Sequence, residues 1–187
     1  GEVENPVYDM EFEEDVCGVE MEEAVETASA HILHGTDEAV RAICDELEQA
    51  KRPVIMLGHG VDSAVSQQKL IRFARSRQIP IITSVLAKSV LAYDDPQNFG
   101  CIGGAYGHRY ANMISNAKSD LLLCFGISLC TRQIGTKVNE FAKGAKIIRV
   151  DLDPYNLQRN IHENGENGIK ILAETGTLIQ ALDKVPC

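Results

Sequence analysis

The stretch KRPVIMLGHG, residues 51–60, decides the fold. Pro53 stops any helix that precedes it, because proline has no amide proton for the helical ladder. Four apolar residues follow without interruption at positions 54–57, and Gly58 and Gly60 close the run. A short apolar run bounded by glycine is typical of a strand that is buried on both faces of a parallel sheet. We therefore predict a buried parallel strand at this position.

Amphipathic helices are predicted on both sides of this strand. The first spans residues 36–52, with Thr36 as the N-cap and two carboxylates, Asp37 and Glu38, in the first turn. Its apolar residues recur at helical spacing: Val40, Ile43, Cys44 and Leu47. The second helix spans residues 63–77, and four of its side chains are predicted to face the core: Val65, Leu70, Phe73 and Ala74. The strand is thus part of an alternating α/β pattern.

The same alternation continues to the end of the chain. Further strands are predicted at residues 79–83, 121–125, 146–150 and 169–172, with helices near residues 110–116 and 137–142. Gly144 is predicted to end the second of these helices. A last helix carries its apolar residues at helical spacing: Leu178, Ala181, Leu182 and Val185. Because parallel strands need right-handed crossovers, we predict an α/β fold with a doubly wound, mostly parallel, Rossmann-like sheet of about five to six strands and helices on both faces.

The charge of the chain is concentrated at its N-terminus. The net charge is -9, but residues 1–26 hold eleven carboxylates and no lysine or arginine, which leaves 16 acidic against 18 basic residues elsewhere. Such a block is typical of a solvated, poorly packed segment, and the alternative is a linker that lies against a basic surface of a parent protein. We predict an acidic leader or linker at residues 1–35 and a domain at residues 36–187.

Several classes of function are disfavoured by composition. No apolar run approaches the roughly 20 residues that cross a bilayer, and the acidic N-terminus does not resemble a signal peptide, so we expect a cytoplasmic protein without membrane contact. No basic stripe or series of stacking aromatics indicates nucleic-acid binding. The six cysteines (17, 44, 101, 124, 130 and 187) form no C-x-x-C pair. We therefore predict buried thiols and no metal site.

Ligands of an open parallel sheet bind beyond the carboxyl ends of its strands. The loops that follow the predicted strands are small, polar or acidic, which suits a nucleotide, because glycine lets a phosphate approach the backbone and a carboxylate can hold a ribose hydroxyl. The predicted cofactor-binding residues are Gly58, His59, Gly60, Thr83, Ser84, Gly104, Gly107, Gly126, Ser128, Arg132, Asp151 and Asp153. No catalytic residue is predicted.

Each of these signals has an alternative interpretation. Gly58-x-Gly60 is also typical of a tight strand-to-helix turn, and His59 of an ordinary loop histidine. The glycine-rich stretch around Gly104 could be a connection that must turn several times. Arg132 follows a strand closely enough to clamp a phosphate, but it could equally form a surface ion pair.

Taken in order, several segments resemble the central domain of thiamine diphosphate enzymes related to acetolactate synthase. The matching segments cover residues 50–58 with Gly60, 79–84 with Ala87 and Lys88, 94–96, 106–112, 119–126 with Arg132 and Gly135, and 145–154. No single segment is decisive, but their order and spacing within residues 36–185 are specific.

The resemblance implies that this chain is one of three domains. The other two bind the pyrimidine and the diphosphate of the cofactor, the first with a catalytic glutamate and the second with a Gly-Asp-Gly…Asn motif that holds Mg²⁺. Gly-Asp-Gly does not occur in this chain. We therefore expect the chain to be inactive alone. Its parent is expected to be a lyase or transferase that decarboxylates 2-oxo acids and ligates the product. The parent is expected to be a homo-oligomer, a dimer or a tetramer.

The same resemblance names candidate ligands for the central domain. In acetolactate synthase-like members it binds FAD, usually for structural reasons; in others it binds an ADP-containing ligand, and in many it is empty. The flavin pattern has an arginine and acidic residues where this chain has Ser128, Cys130 and Thr131, and Arg132 is retained. FAD or another adenine nucleotide is thus the candidate cofactor.

Two alternatives share the predicted fold. One is a stand-alone nucleotide-binding or assembly subunit, such as the small epsilon subunit of acetyl-CoA decarbonylase/synthase complexes, which has a similar Lys-Arg-Pro strand opening. The other is a relative of the NAD-dependent deacylases, which is disfavoured because the chain has no zinc-ribbon cysteine pairs.

Overall fold

The computed structural model describes residues 32–159, 161 and 168–185, so residues 1–31 of the leader predicted at residues 1–35 lie outside them. The strands of the described part are β1 (Ile32–Leu33), β2 (Pro53–Leu57), β3 (Ile81–Thr83), β4 (Asn98–Cys101), β5 (Leu121–Phe125), β6 (Lys146–Asp151) and β7 (Gly168–Leu172). They form one sheet in the order β1-β7-β6-β5-β2-β3-β4. Every pairing in this sheet is parallel.

This topology confirms the predicted doubly wound parallel sheet, with seven strands in the described residues. The two strands that the sequence did not reveal are the edge strands β1 and β4. β1 has two residues, lies within the segment assigned to the leader, and pairs with β7 through Ile32 and Leu33. β4 is interrupted by Gly100 and contains Asn98, so it lacks an apolar run.

The helices are α1 (Thr36–Gln49), α2 (Ala64–Ser76), α3 (Arg109–Met113), α4 (Thr131–Ile134), α5 (Pro154–Gln158) and α6 (Thr175–Leu182). Gly35 is the N-cap of α1 in place of the predicted Thr36, which is the first helical residue. A π-helical turn at Ile114–Lys118 continues α3, and 3-10 turns occupy Val85–Ala87 and Val138–Glu140. No helix among the described residues is long and apolar enough to cross a membrane.

Helices α1, α2 and α6 cover one face of the sheet, which we call the helical face. Their fully buried residues include Ile43, Leu70 and Leu178. The prediction that Val65 faces this core is wrong, since it is 60% exposed. Ser66 is buried instead, because it lies one helical turn before Leu70 whereas Val65 points away from that row.

The opposite face, which we call the loop face, is covered by short elements. Its core joins Met56 and Cys124 of the sheet to side chains such as Phe141 and Ala142 from the connections. The helix predicted at residues 137–142 is wrong: a three-residue 3-10 turn is followed by extended Phe141 and by Ala142 with a φ of 48°. A left-handed residue cannot continue a right-handed helix, so Gly144 does not end one.

The strand order reverses at β2, which lies between β5 and β3. Leu57 is in register with Phe125 on one side and with Thr83 on the other. The loops after these three strands therefore meet at one edge, where open parallel sheets bind their ligands.

Candidate ligand-binding site

The glycines at the reversal point hold two loops against each other. The amide of Gly58 donates to the carbonyl of Phe125 over 2.9 Å, and the amide of Gly60 donates to the carbonyl of Gly126 over 2.9 Å. A Cβ on Gly58 would lie 1.9 Å from the Gly126 oxygen. These glycines are thus explained by backbone packing, and the amides of Gly58 and Gly60 are already bonded. Their predicted role at a phosphate remains a prediction.

A cleft of about 520 Å³ opens beside this point, between the loops after β3, β4 and β5. We call it the cation cleft. Its lining includes three predicted site residues, Ser84, Ser128 and Arg132, together with Lys88, Tyr106, His108, Cys101, Cys130 and Gln133. No carboxylate is among its described lining residues, so the cleft favours an anionic ligand.

A second cavity, of about 760 Å³, adjoins the cation cleft. We call it the aromatic cavity. The two share Lys88, Cys101 and His108. The other lining residues are Thr83, Ser89, Leu91, Tyr93, Asn98, Phe99, Gly100 and Tyr110. Each volume lies within the range of small-molecule sites, and together they could hold an elongated ligand with a ring at one end and an anion at the other.

Ser84 contributes a buried hydroxyl that has no partner. Its amide donates to the carbonyl of Leu57 over 2.9 Å, which fixes it directly after β3. The residue is 5% exposed, and its Oγ makes no hydrogen bond within the described part of the chain. An unsatisfied buried hydroxyl costs about 1–3 kcal/mol. A ligand that bonds to this hydroxyl would remove that cost.

Among the residues that the structure describes, the cations of the cleft have no acidic partners either. The ion pairs found among residues 32–159, 161 and 168–185 join Arg52–Asp120, Arg72–Asp183, Arg75–Asp95, Lys143–Glu140 and Lys146–Glu46. Neither Arg132 nor Lys88 belongs to this set, so the alternative that Arg132 forms a surface ion pair finds no support in this region. Two unpaired cations beside an unpartnered hydroxyl can bind a phosphate or a carboxylate.

The glycine-rich loop after β4 is held by its own backbone and by Asn112. The Gly107 amide donates to the Gly103 carbonyl over 3.0 Å, and a Cβ on Gly107 would lie 2.2 Å from that oxygen. The Asn112 side chain accepts from the Gly103 amide (3.2 Å) and donates to the Gly103 carbonyl (2.8 Å). The Gly104 amide donates to the carbonyl of Arg132 over 3.2 Å, which ties this loop to the cation cleft.

The same loop fixes the orientation of His108. Its Nδ1 accepts the amide proton of Cys101 over 2.9 Å, and its own amide donates to the Cys101 carbonyl over 2.8 Å. A neutral His108 therefore carries its proton on Nε2, which leaves that atom as a donor at the boundary between the cation cleft and the aromatic cavity.

Besides the glycines, three predicted site residues lie elsewhere. The carboxylate of Asp151 accepts the amide of Asp153 over 3.0 Å, and that of Asp153 caps α5 by accepting the amide of Tyr155 over 2.9 Å. His59 lines a separate cavity of about 190 Å³. None of the three lines the cation cleft or the aromatic cavity in the described structure, and the predicted ribose contact of the two carboxylates remains a prediction.

The sequence-based site did not include Lys88, Tyr106, His108 or Cys130. Lys88 follows a predicted strand by five residues, so its position at the carboxyl edge was a usable signal. Tyr106 and His108 adjoin Gly104 and Gly107, which the sequence did place at the site, so the glycine-rich loop was a usable signal for them as well.

Three of the four cysteines that the structure describes are buried, as predicted, and Cys130 is the exception. Burial raises the pKa of the Cys124 thiol to about 12, so this sulfur is an unreactive part of the core. Cys44 and Cys101 are also buried, whereas Cys130 is partly exposed. In the described ranges no group of three or more His, Cys, Asp or Glu side chains could hold a metal ion.

Comparison with known proteins gives a consistent result. Residues 40–182 match the family described as "Thiamine pyrophosphate enzyme, central domain". The chain is 32% identical over 124 residues to the acetolactate synthase large subunit of Parasynechococcus marenigrum, covering 66% of this chain and 20% of that protein. It is 33% identical over 135 residues to acetolactate synthase 2 of Zea mays, covering 72% and 20%.

A third relative carries a different name. The chain is 29% identical over 147 residues to the glyoxylate carboligase of Escherichia coli, covering 75% of this chain and 24% of that protein. The chain thus spans about a fifth to a quarter of the length of these three curated relatives.

Proposed function

This chain belongs to the family of thiamine pyrophosphate enzyme central domains, and we propose that it is the non-catalytic, ligand-holding part of a larger acetolactate synthase-like enzyme. The parent would decarboxylate a 2-oxo acid and ligate the product, as a lyase or transferase that uses thiamine diphosphate and Mg²⁺. The pyrimidine- and diphosphate-binding domains would supply that chemistry, because the Gly-Asp-Gly motif is absent from this sequence. A homo-oligomeric parent follows from the same resemblance.

We propose that the cation cleft binds the anionic part of an adenine nucleotide such as FAD or ADP. One observation carries this proposal: unpaired Arg132 and Lys88 and the buried, unpartnered hydroxyl of Ser84 line a cleft that has no described carboxylate. A guanidinium beside an ammonium suits a diphosphate. The ligand would supply the hydrogen bond that the Ser84 hydroxyl otherwise lacks.

The residues also suit the ring of such a ligand. Phe99 and Tyr110 line the adjoining aromatic cavity, and aromatic side chains stack on flat ring systems. A bound flavin would supply a redox-active ring. The role that we propose for the ligand is structural: its binding energy would order the surrounding loops. The sequence predicted a ligand across Gly58–Gly60, Gly126 and Asp151–Asp153. We now propose that the ligand lies between the loops that follow β3, β4 and β5.

Titration with FAD, ADP and coenzyme A tests the ligand proposal. Arg132→Ala removes a charged hydrogen bond, which is worth about 1.5–3 kcal/mol, so affinity should fall about 10- to 150-fold. Arg72→Ala is the matched control, since Arg72 pairs with Asp183 between α2 and the end of α6. Equal affinity in wild type and Arg132→Ala would remove Arg132 from the site. The absence of any binding by wild type would place this domain among the empty ones.

Turnover tests the non-catalytic role. The chain mixed with thiamine diphosphate, Mg²⁺ and pyruvate should form neither acetolactate nor carbon dioxide above background. Product formation that survives removal of contaminating enzyme would contradict the proposal. The length of the parent gene distinguishes a domain of a larger enzyme from the stand-alone subunit. A gene for three domains of roughly 100–200 residues each supports the proposal, and a gene that encodes this domain alone supports the stand-alone subunit.

A further inference from the structure

The loop after β5 adopts a strained conformation between two residues of the cation cleft, Ser128 and Cys130. Leu129 is fully buried and has a φ of 50°, which a residue with a Cβ rarely adopts. Cys130 follows as the N-cap of α4, and Arg132 is the second residue of that helix. The path of the chain at Leu129 therefore sets the position of Arg132.

Arg159 holds this strained segment from outside. Its Nη1 donates to the carbonyl of Ser128 over 3.1 Å, and its Nη2 donates to the carbonyl of Leu129 over 3.0 Å. The guanidinium is a planar fork that can reach two neighbouring carbonyls at once. Since Arg159 lies 30 residues further along the chain, the clamp joins two separate connections of the sheet.

A second arginine holds Arg159 in turn. Arg149, on β6, is 5% exposed, and its Nη1 donates to the carbonyl of Arg159 over 2.7 Å. Its Nη2 donates to the carbonyl of Asn156 in the middle of α5. Neither guanidinium belongs to an ion pair among the described residues. Both are used to fix backbone carbonyls.

These contacts form one continuous series from the sheet to the cleft. Arg149 holds the carbonyls of Asn156 in α5 and of Arg159 directly after it. Arg159 in turn holds those of Ser128 and Leu129, and the helical turn that follows carries Arg132. The carbonyl of Arg132 then accepts the Gly104 amide of the glycine-rich loop. A change at Arg159 should thus reach two of the loops that line the site.

We propose that Arg159 is a positioning residue of the cation cleft: its clamp on Ser128 and Leu129 holds Arg132 where an anionic ligand is bound. Arg159 does not line the described cleft itself. The inference rests on the proposed function for the identity of the ligand, but the clamp can be tested without one.

Hydrogen exchange on the full chain, with Arg159→Ala, Arg159→Lys and the control Arg72→Ala, tests the clamp. The reporters are the amides of Ile134 and Gly135, which bond within α4, and of Gly104, which bonds to Arg132. Arg159→Ala should speed their exchange about tenfold or more, because two charge-assisted hydrogen bonds are lost, with no change at the β5 amides. Arg159→Lys should restore part of the protection, since an ammonium can donate to one carbonyl but lacks the fork.

Affinity for ADP and FAD provides the second measurement. Arg159→Ala should weaken binding about tenfold, Arg159→Lys less, and Arg72→Ala not at all, while the thermal midpoints remain similar. Unchanged exchange at all three reporters would overturn the positioning role even if wild type binds ADP. Uniformly faster exchange across the sheet would overturn it too, because Arg159 would then have a general structural role. If wild type binds neither nucleotide, the proposed function fails. The exchange pattern alone then decides whether Arg159 holds the loops of the cleft in place.

Discussion

Three helices of 14, 13 and 8 residues cover the helical face of the sheet, whereas no α-helix described on the loop face has more than five residues. On the helical face, apolar residues repeat at helical spacing and their side chains are buried. On the loop face, the core is completed by residues from turns, such as Phe141 and Ala142. One face is built from regular elements and the other from irregular ones.

The difference shows where this fold stores strain. Leu129 and Ala142, two of the three described non-glycine residues with positive φ, belong to the loop face. Three buried side-chain atoms lack a partner among the described residues: Ser84 Oγ, Gln97 Oε1 and Arg149 Nε. Ser84 lines the cation cleft with Ser128 and Cys130, which lie on either side of Leu129. Arg149 bonds to Arg159, which bonds to Leu129. Strained backbone and unsatisfied polar groups are typical of functional sites. The helical face supplies regular packing, and the strained loop face is where we propose the ligand site.

The largest effect is expected where the loops after β2 and β5 touch. In Gly58→Ala the new Cβ would meet the Gly126 oxygen at 1.9 Å and the Ile127 Cα at 2.6 Å. Because both neighbours are backbone atoms, no rotamer change can relieve the clash, and we expect a loss of about 4 kcal/mol or more in the free energy of unfolding. Urea unfolding measures it. Gly144→Ala, with nothing within 4 Å of the new Cβ, should stay within about 0.5 kcal/mol of wild type; equal stability of the two variants would refute the close approach.

A pair of core truncations should separate the two faces. Ile43→Ala, at a fully buried position on the helical face, should lower the free energy of unfolding by about 2–5 kcal/mol and leave nucleotide affinity unchanged. Ile134→Ala, at a partly buried position in α4, should cost only about 1–2 kcal/mol but weaken nucleotide binding. Chemical unfolding and titration of the same samples measure both effects. An equal loss of nucleotide affinity in both variants would contradict the assignment of ligand binding to the loop face alone.

The helical face also contains an acid-sensitive cap. Glu174 accepts the amides of Gly176 and Thr177 at the start of α6, and hydrogen bonding from the Thr177 side chain and from the Gly176 amide lowers the pKa of Glu174. A lowered folded-state pKa stabilises the fold above the unfolded-state pKa and loses that contribution as the pH falls through the folded value.

Glu174→Gln should therefore cost about 0.5–2 kcal/mol at neutral pH, and its difference from wild type should shrink below about pH 4. Thermal unfolding at a series of pH values checks this. Glu48→Gln, an exposed substitution on α1, should show no such trend. If the loss of stability in Glu174→Gln were the same at every pH, the carboxylate of Glu174 would not be the cap.

The smallest stability effect is expected at Ser84. Removing an unpartnered buried hydroxyl should leave the free energy of unfolding unchanged or raise it by up to about 1 kcal/mol, while affinity for ADP falls. Ser115→Ala is the matched control, since the Ser115 hydroxyl donates to the carbonyl of Ala111 over 2.9 Å, and its loss should destabilise by about 1 kcal/mol. Destabilisation by Ser84→Ala would mean that the hydroxyl is satisfied within the protein.

The predictability of the site differed from residue to residue. Ser84, Ser128 and Arg132, which line the cation cleft, were predicted because each closely follows a strand whose apolar run is visible in the sequence. His108 was missed although the adjacent Gly107 was predicted, because β4 contains Asn98 and Gly100 and has no apolar run that would fix the course of the loop after it.

Asp153 shows a different limit of sequence-based prediction. Asp153-Pro154 is as typical of a helix cap as of a ligand contact, and in the structure its carboxylate caps α5. Local sequence alone does not separate the two roles.

The sequence by itself determined the α/β class, the buried central strands and the long helices, because these depend on the spacing of apolar residues along one segment. Only the tertiary structure decided that Gly58 packs against Gly126, that Arg159 clamps Leu129, and that Lys88 lies in one cleft with Arg132. The physical reason is sequence separation: contacts between distant segments depend on strand order and register, which the pattern within any one segment does not encode.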